Sequence, residues 1–264
     1  MKNIGYLARI TKALAKSCLG AIGLTVVRRS THATFVSASF RSRVLDIFLW
    51  KPFEAEVFAK IFPHIQSQLG QDLLAVAASS SKQQGFFVEI GATNGVYLSN
   101  TFMLEKELGW RGILAEPGKV WHSDLVKNRT AEVFTGAVWH TSGSTLTFLE
   151  AHNPELSTLS PFSKSDSHRR SGKTYEVESL TLHDLLKSRN APTFIDFLSI
   201  DTEGSEMDIL RGFDFSLYQF GLICVEHNFT SAQQEIKVLL SEVGYIQILG
   251  HASLWDSWFV PANH

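Results

Sequence analysis

The sequence predicts an α/β fold built on a mostly parallel sheet, and three observations carry that prediction. Residues 86–90 (FFVEI) are a strand-length run of apolar, aromatic and β-branched side chains that enters a turn punctuated by Gly91 and Gly95. One βαβ step later, residues 112–116 repeat the plan, a short apolar run ending in Glu116. Beyond it, short apolar runs alternate with helical patterns, which predicts a parallel sheet with helices on both faces.

Composition sets the frame for these elements. The chain has 264 residues, 44% hydrophobic and 19% charged, enough to bury a sizeable core and too apolar for a disordered polymer. Residues 1–45 carry eight Lys and Arg and no acid, leaving 16 bases against 26 acids in the remainder, a net of −10. This leader is a different kind of polymer from the body. Its apolar run, residues 18–27, is half the length of the roughly 20 residues a membrane span needs, and it lacks a small-residue cleavage site. It reads either as a solvated helix or arm, or as a segment making peripheral contact with an anionic membrane. No aromatic stacking surface accompanies its charges, so nucleic acid is not an expected partner. Cys18 and Cys224 make no disulfide framework, and Cys224, inside the apolar run 222–225, reads as a buried thiol in a reducing compartment, the cytoplasm.

The elements follow in order. Phe53, Val57, Ile61, Ile65 and Leu69 fall at helical spacing, so residues 46–84 read as a helical cap on the sheet. The domain proper is expected over 85–264: strand 86–90, helix about 95–108, strand 112–116, helix about 118–127 and strand 132–138. Residues 141–180 break this rhythm with polar, turn-rich sequence between two β-like pieces, 145–150 and 174–179. Such an insertion reads as a substrate-facing lid or as a surface loop. Thr181, with Asp184 three residues on, is the expected N-cap of a short helix. A strand at 194–200 then ends at Asp201, a helix runs through Leu210 to stop near Gly212, and a strand at 222–225 ends at Glu226 and His227. A helix at 232–242 and strands at 245–249 and 254–260 complete the chain.

In such a sheet the ligand lies beyond the carboxyl ends of the strands, where Glu89, Glu116, Asp201, Glu226 and His227 would gather. A carboxylate at a strand end suits hydroxyls or an amine rather than phosphate. The spacing Glu89-x-Gly91-x-x-x-Gly95 also lacks the middle glycine of a dinucleotide fingerprint, which disfavours an oxidoreductase. His227, with an ordinary pKa near neutrality, is the expected general base. Asp201 and Glu226 would accept the proton, orient His227 or bind an ammonium. No ligand spacing singles out a metal. Glu203 and Glu206 at a helix start favour the helix dipole, and of Trp255 and Trp258 at most one would face a pocket.

Several blocks together resemble one family. Glu89-x-Gly91-Ala92-x-Asn94-Gly95, Leu98-Ser99-Asn100-Thr101, Gly109-Trp110-Arg111-Gly112, Glu116-Pro117, Ile200-Asp201-Thr202-Glu203-Gly204-Ser205-Glu206, Val225-Glu226-His227 and the closing run 255–260 are similar to the FkbM-type S-adenosylmethionine-dependent methyltransferases. Ser199 stands where that family more usually has lysine. The resemblance covers roughly residues 84–260. It implies a Rossmann-like class I methyltransferase fold, a mostly parallel seven-stranded sheet with an antiparallel last strand, here with an N-terminal helical extension. It also implies S-adenosylmethionine as cofactor: Gly91 and Gly95 passing beneath its methionyl part, Glu89 supporting that turn, Ala92 and Asn94 shaping it, Glu116 and Pro117 at the ribose, and Asp201 at the methionyl end. The implied reaction is O-methylation of a hydroxyl on a sugar, glycan or other small natural product. The alternative is a methyltransferase-like interaction or trafficking protein with weak or no turnover.

Overall fold

The computed structural model describes residues 31–263. The first thirty residues of the basic leader, including the apolar run at 18–27, lie outside the described residues. In chain order the helices are α1 (Thr31–Trp50), α2 (Ala55–Ile61), α3 (Gln71–Ala78), α4 (Phe102–Leu108), α5 (Lys119–Asn128), α6 (Leu182–Ser188), α7 (Glu206–Arg211) and α8 (Ala232–Glu242). The strands are β1 (Phe86–Ile90), β2 (Arg111–Ala115), β3 (Glu132–Phe134), β4 (Ala137–Val138), β5 (Thr145–Ala151), β6 (Thr158–Leu159), β7 (Gly172–Leu180), β8 (Phe194–Ile200), β9 (Gln219–Glu226), β10 (Tyr245–Ile248) and β11 (Asp256–Pro261).

The α/β class holds, with a mixed main sheet of seven strands in the order β10-β11-β9-β8-β1-β2-β3. Pairing is parallel from β3 through β2, β1 and β8 to β9, and β11 runs antiparallel to both of its neighbours. Alternate side chains of each strand feed two cores. On one face Phe87, Leu114, Phe197, Leu222 and Trp258 pack with residues of α1, α3 and α4. On the other, Val88, Ile113, Leu198, Ile223 and Phe259 pack with residues of α6, α7 and α8. Each fully buried aromatic or aliphatic side chain of this kind contributes about 1.5–3 kcal/mol relative to exposure. The chain leaves β1 toward β2 and β3, then returns to the opposite side of β1 as β8, so the sheet switches direction between β1 and β8, where a ligand crevice belongs.

Three segments differ from the sequence reading, each for a local reason. The expected cap is interrupted by a 3-10 turn containing Pro63 and by Gly70 at φ 84°, so α2 and α3 are separate helices. The helix expected from about residue 95 begins only at Phe102, because Thr93, Gly95 and Leu98 all hold positive φ. The strand expected over 132–138 splits at Gly136, where a Cβ would stand 2.5 Å from the Glu178 carbonyl oxygen. Thr181 does cap α6: its hydroxyl accepts from the Asp184 backbone N–H at 3.0 Å.

The insertion is a packed structure. Strands β4, β7, β5 and β6 form a second, four-stranded sheet, with β5 and β7 antiparallel over their length. The loop between β6 and β7 is tied to the main sheet by Arg170, whose side chain is fully buried. It donates to both Asp166 carboxylate oxygens (2.8 and 2.6 Å) and to Glu203 Oε2 (2.5 Å), just beyond β8. Thr158 adds a hydrogen bond to the Glu203 carbonyl at 2.9 Å.

The turn after β1 is organised by Arg129, at the end of α5. Its buried guanidinium donates to Glu105 Oε2 (2.8 Å), the Gly95 carbonyl (3.0 Å), Ser99 Oγ (3.2 Å) and Thr101 Oγ1 (2.9 Å), and lies 3.6 Å from Glu89 Oε2. Burial pushes the Glu105 carboxyl up, but Arg129 and the Thr130 N–H outweigh it and hold the group below its usual range. Arg129→Ala would leave the buried Glu89 without its cation and Glu105 with only the more exposed Lys106, 3.1 Å from its Oε1. We expect it to lower unfolding stability by about 3–5 kcal/mol in urea titrations. A loss below about 1 kcal/mol would contradict the central place given to this residue.

Candidate active site

At the β1/β8 switch the carboxyl ends of the parallel strands open into a cavity of about 490 Å³. Its size suits a small-molecule site, for which about 300–1,000 Å³ is usual. Strand ends supply Gly91, Glu116, Pro117, Asp201 and Glu226 to its wall, while Gly136, Ala137 and Val138 form a side without bulky polar groups. The insertion closes another side with Phe148, Leu156, Ser157, Leu159 and His168.

Glu116 is the polar fixture on the β2 side. Its two oxygens accept from the Thr93 N–H (2.8 Å) and the Gly118 N–H (2.7 Å), which leaves a further lone pair on each. Burial raises its carboxyl to about 7 against the opposing pull of those two N–H groups, and the charges of Glu150 and Glu89 add to the rise. The following turn is braced from the insertion. Tyr175 donates to Glu150 Oε2 at 2.7 Å and accepts from the Lys119 N–H at 2.8 Å.

Opposite Glu116 stands a crowd of carboxylates. Asp201 lines the cavity with its surface accessible there, and its carboxyl is pushed well above the usual range by desolvation among the surrounding protein atoms and then by Glu203, Asp256 and Glu206. Glu226 is pushed up likewise, by burial and then by Asp201, and the two carboxyls are close enough to hydrogen-bond. Asn228 donates to Glu226 Oε2 at 2.8 Å. Burial raises Asp256 to about 6, although Gln71 donates to it at 2.8 Å. Carboxylate oxygens of Asp201, Glu203 and Glu226 lie within 4.8 Å of one another, as do ligand atoms of Asp166, His168 and Glu203, spacings a divalent cation could bridge. In the second group Arg170 already pairs Asp166 and Glu203.

The sequence-predicted site residues divide into two groups. Gly91, Glu116, Pro117, Asp201 and Glu226 reach the cavity; Glu89, Ala92, Asn94 and Gly95 stand behind its wall. Glu89 is buried and accepts from Ser99 Oγ (2.9 Å), the Asn100 N–H (2.7 Å) and Thr101 Oγ1 (2.5 Å), so it shapes the loop as expected without facing a ligand. Asn94 accepts from the Val96 and Tyr97 N–H groups, closing the turn. Ala92 is buried. Gly95 does not pass beneath a ligand: at φ +77°, a Cβ there would stand 2.6 Å from Arg129 Cγ and 2.7 Å from Leu125 Cδ1. Gly91 lines the cavity, but its lack of a side chain serves first to let β1 and β8 meet, since a Cβ would fall 1.7 Å from the Asp201 carbonyl oxygen.

His227 is a correction. Its ring is buried, its Nε2 lies 2.9 Å from the Asp256 carbonyl oxygen, and its Nδ1 accepts from the Phe229 N–H at 3.1 Å. The carbonyl fixes Nε2 as the donor, so neither nitrogen has a lone pair for a substrate proton. Burial lowers its pKa, the opposite of what a nearby ionised partner would do. The residue ties β9 to the start of β11.

Asp256, Asn228, Asn100 and Trp121 also line the cavity, and the sequence reading did not place them there. For Asp256 a signal existed: an antiparallel last strand begins where its parallel neighbours end, and Asp256 pairs in register with Glu226. Trp255 faces the cavity from the turn before β11 and Trp258 the core from within it, so at most one faces the pocket as expected, though Trp255 lies outside the strand whose alternation gave that expectation.

Precorrin-6y C5,15-methyltransferase from Geobacter metallireducens GS-15 is similar to this chain at 10% identity and a TM-score of 0.41, over 75% of this chain and 88% of that one, too distant to bear on function. A search of curated proteins finds no match. Residues 89–246, more than half the chain and the stretch that carries Glu116, Asp201 and Glu226, match the model of the methyltransferase FkbM domain, and the protein belongs to that family.

Proposed function

We propose that the protein is an S-adenosylmethionine-dependent O-methyltransferase of the Rossmann-like class I type, acting on a hydroxyl of an uncharged sugar, glycan or other small natural product. The observation that carries this reading is the charge inventory of the cavity. Glu116, Glu155, Asp201, Glu203, Glu226 and Asp256 line it, and among the described residues no lysine or arginine does. Such a wall suits a cationic cofactor and a hydroxyl acceptor, and it opposes phosphate or carboxylate groups.

Cofactor and wall fit at two further points. Glu116 keeps lone pairs for a pair of ribose hydroxyls, and the Gly136-Ala137 side leaves room for a flat ring recognised by backbone and stacking. When bound, S-adenosylmethionine supplies an electrophilic methyl whose C–S bond breaks as the new O–C bond forms. The chain's own contribution is to hold the acceptor oxygen in line and to take its proton. With His227 committed to backbone, the Asp201–Glu226 pair is the base. Both carboxyls are raised by burial and by one another, so the pair holds one proton and its ionised member accepts the second. Glu226 holds the proton and gives Asp201 a hydrogen bond, which favours the ionised form of Asp201, while Asn228 fixes the Glu226 carboxyl by donating to Oε2 at 2.8 Å.

Calorimetry with the folded protein should show S-adenosylmethionine binding, weakened about tenfold or more by Glu116→Ala, the loss of a charge-assisted hydrogen bond. No binding by the wild type overturns the reading and leaves the non-catalytic alternative standing. Glu116, at about 7 when unliganded, must ionise to accept from ribose hydroxyls, and hydroxyl binding pulls its pKa down. Affinity should therefore rise with pH up to about 7, by at most tenfold per unit, and level off above it. Glu116→Gln should remove that rise. In a labelled-methyl screen, uncharged glycosides should accept label where their phosphorylated counterparts do not. With an accepted substrate, Asp201→Asn should lower kcat by about 10²–10⁴; turnover within threefold of wild type would overturn the base assignment.

A further inference from the structure

Helix α1 is apolar on two faces, and the protein covers one of them. Ile47 is fully buried, and Val44 and Trp50 pack on the same core. On the other side Leu45, Phe48 and Leu49 are 56%, 41% and 71% exposed. They fall at i, i+3 and i+4, so they form one stripe along the helix, with exposed Arg41 one turn before Leu45 on the same line. Asp46, the helix's single acid, sits 3.6 Å from His251 Nε2 and so faces the body of the protein. An apolar helix face is ordinarily covered, and among the described residues this stripe stays open to solvent apart from the edge contact of Phe48 with Phe53, ring centroids 5.7 Å apart.

The chain itself indicates the occupant. The stripe is continuous in sequence with the leader in which eight Lys and Arg occur without an acid, while residues 46–264 carry a net charge of −10. Apolar side chains beside concentrated positive charge complement the acyl boundary and headgroups of an anionic lipid surface, which takes up both at once. No helix among the described residues is long and apolar enough to cross a membrane, so the contact is interfacial.

We propose that α1, through Leu45, Phe48 and Leu49, docks the protein on an anionic membrane surface, with Arg41 and the basic leader supplying electrostatic attraction. This inference stands independently of the methyl-transfer reading. The test is co-sedimentation of the full chain with vesicles of phosphatidylcholine alone and of phosphatidylcholine mixed with phosphatidylserine. Wild type should pellet with the mixed vesicles, several-fold less with the neutral ones, and less at high salt. The double variant Leu45→Glu/Leu49→Glu, with both positions exposed, should keep the wild-type melting temperature and lose pelleting by about tenfold or more. Equal pelleting on neutral vesicles, no pelleting at all, or pelleting unchanged by the double variant would each overturn the proposal. So would a wild-type dimer in solution that the double variant converts to monomer without any lipid effect, which would assign the face to a second copy.

Discussion

A single buried cation governs the geometry of the cavity's floor. Arg129 sits at the end of α5, yet its guanidinium holds the Gly95 carbonyl, 34 residues earlier in the chain, together with Ser99, Thr101, Glu89 and Glu105. The turn after β1 contains four left-handed residues among its first eight, Gly91, Thr93, Gly95 and Leu98, and has no ladder of its own. Left to local preferences, residues 95–101 would join the helix that follows. Charge-assisted hydrogen bonds in a low-dielectric setting are strong enough to hold them in another path. The position of Gly91 against the Asp201 carbonyl, and the delivery of the Thr93 N–H to Glu116, follow from that path.

The second constraint is electrostatic crowding. Six carboxylates border one cavity, and Asp201, Glu203, Glu226 and Asp256 are all held above their ordinary range, first by burial and then by neighbours. Arg170 relieves the crowding on one side only, through Glu203 and Asp166. A fold that merely needed stability would replace such groups with apolar ones at no loss. Their concentration around open space rather than in the packed core is the arrangement expected of a site that binds positive charge and moves protons.

Much of this was legible in the sequence where the physics is local. β1, β8 and β9 read as strands because both of their faces are buried and the runs are continuous, and the Thr181 cap needs only residues 181–184. The gathering of Glu116, Asp201 and Glu226 was legible too, since they close strands that topology brings to one edge. What was not legible depends on distant partners. The late start of α4 requires Arg129. The second sheet requires β5 to find β7 across a long polar loop. Chemical type misled at His227, where a neutral ring serves as a two-sided backbone brace. Asp256 escaped because its place beside Glu226 follows from the antiparallel direction and register of β11, and the closing run 255–260 was read only as a strand.

The Arg170 clamp bears on how proteins of this design can diversify. The insertion and the loop that carries Glu203 share one buried guanidinium, and Gly204 at φ +126° leaves no room between that loop and Ser165 or Phe162, 2.6 and 2.9 Å from where a Cβ would stand. The insertion is therefore not an exchangeable module. Transplanting it between relatives would succeed only if Asp166, Arg170 and Thr158 travelled with it and met their glutamate and glycine in the recipient. Change in the shape of the cavity on this scaffold is accordingly channelled into point changes on the insertion's inner surface, at positions such as Leu156, Ser157 and His168, rather than into wholesale replacement of the segment.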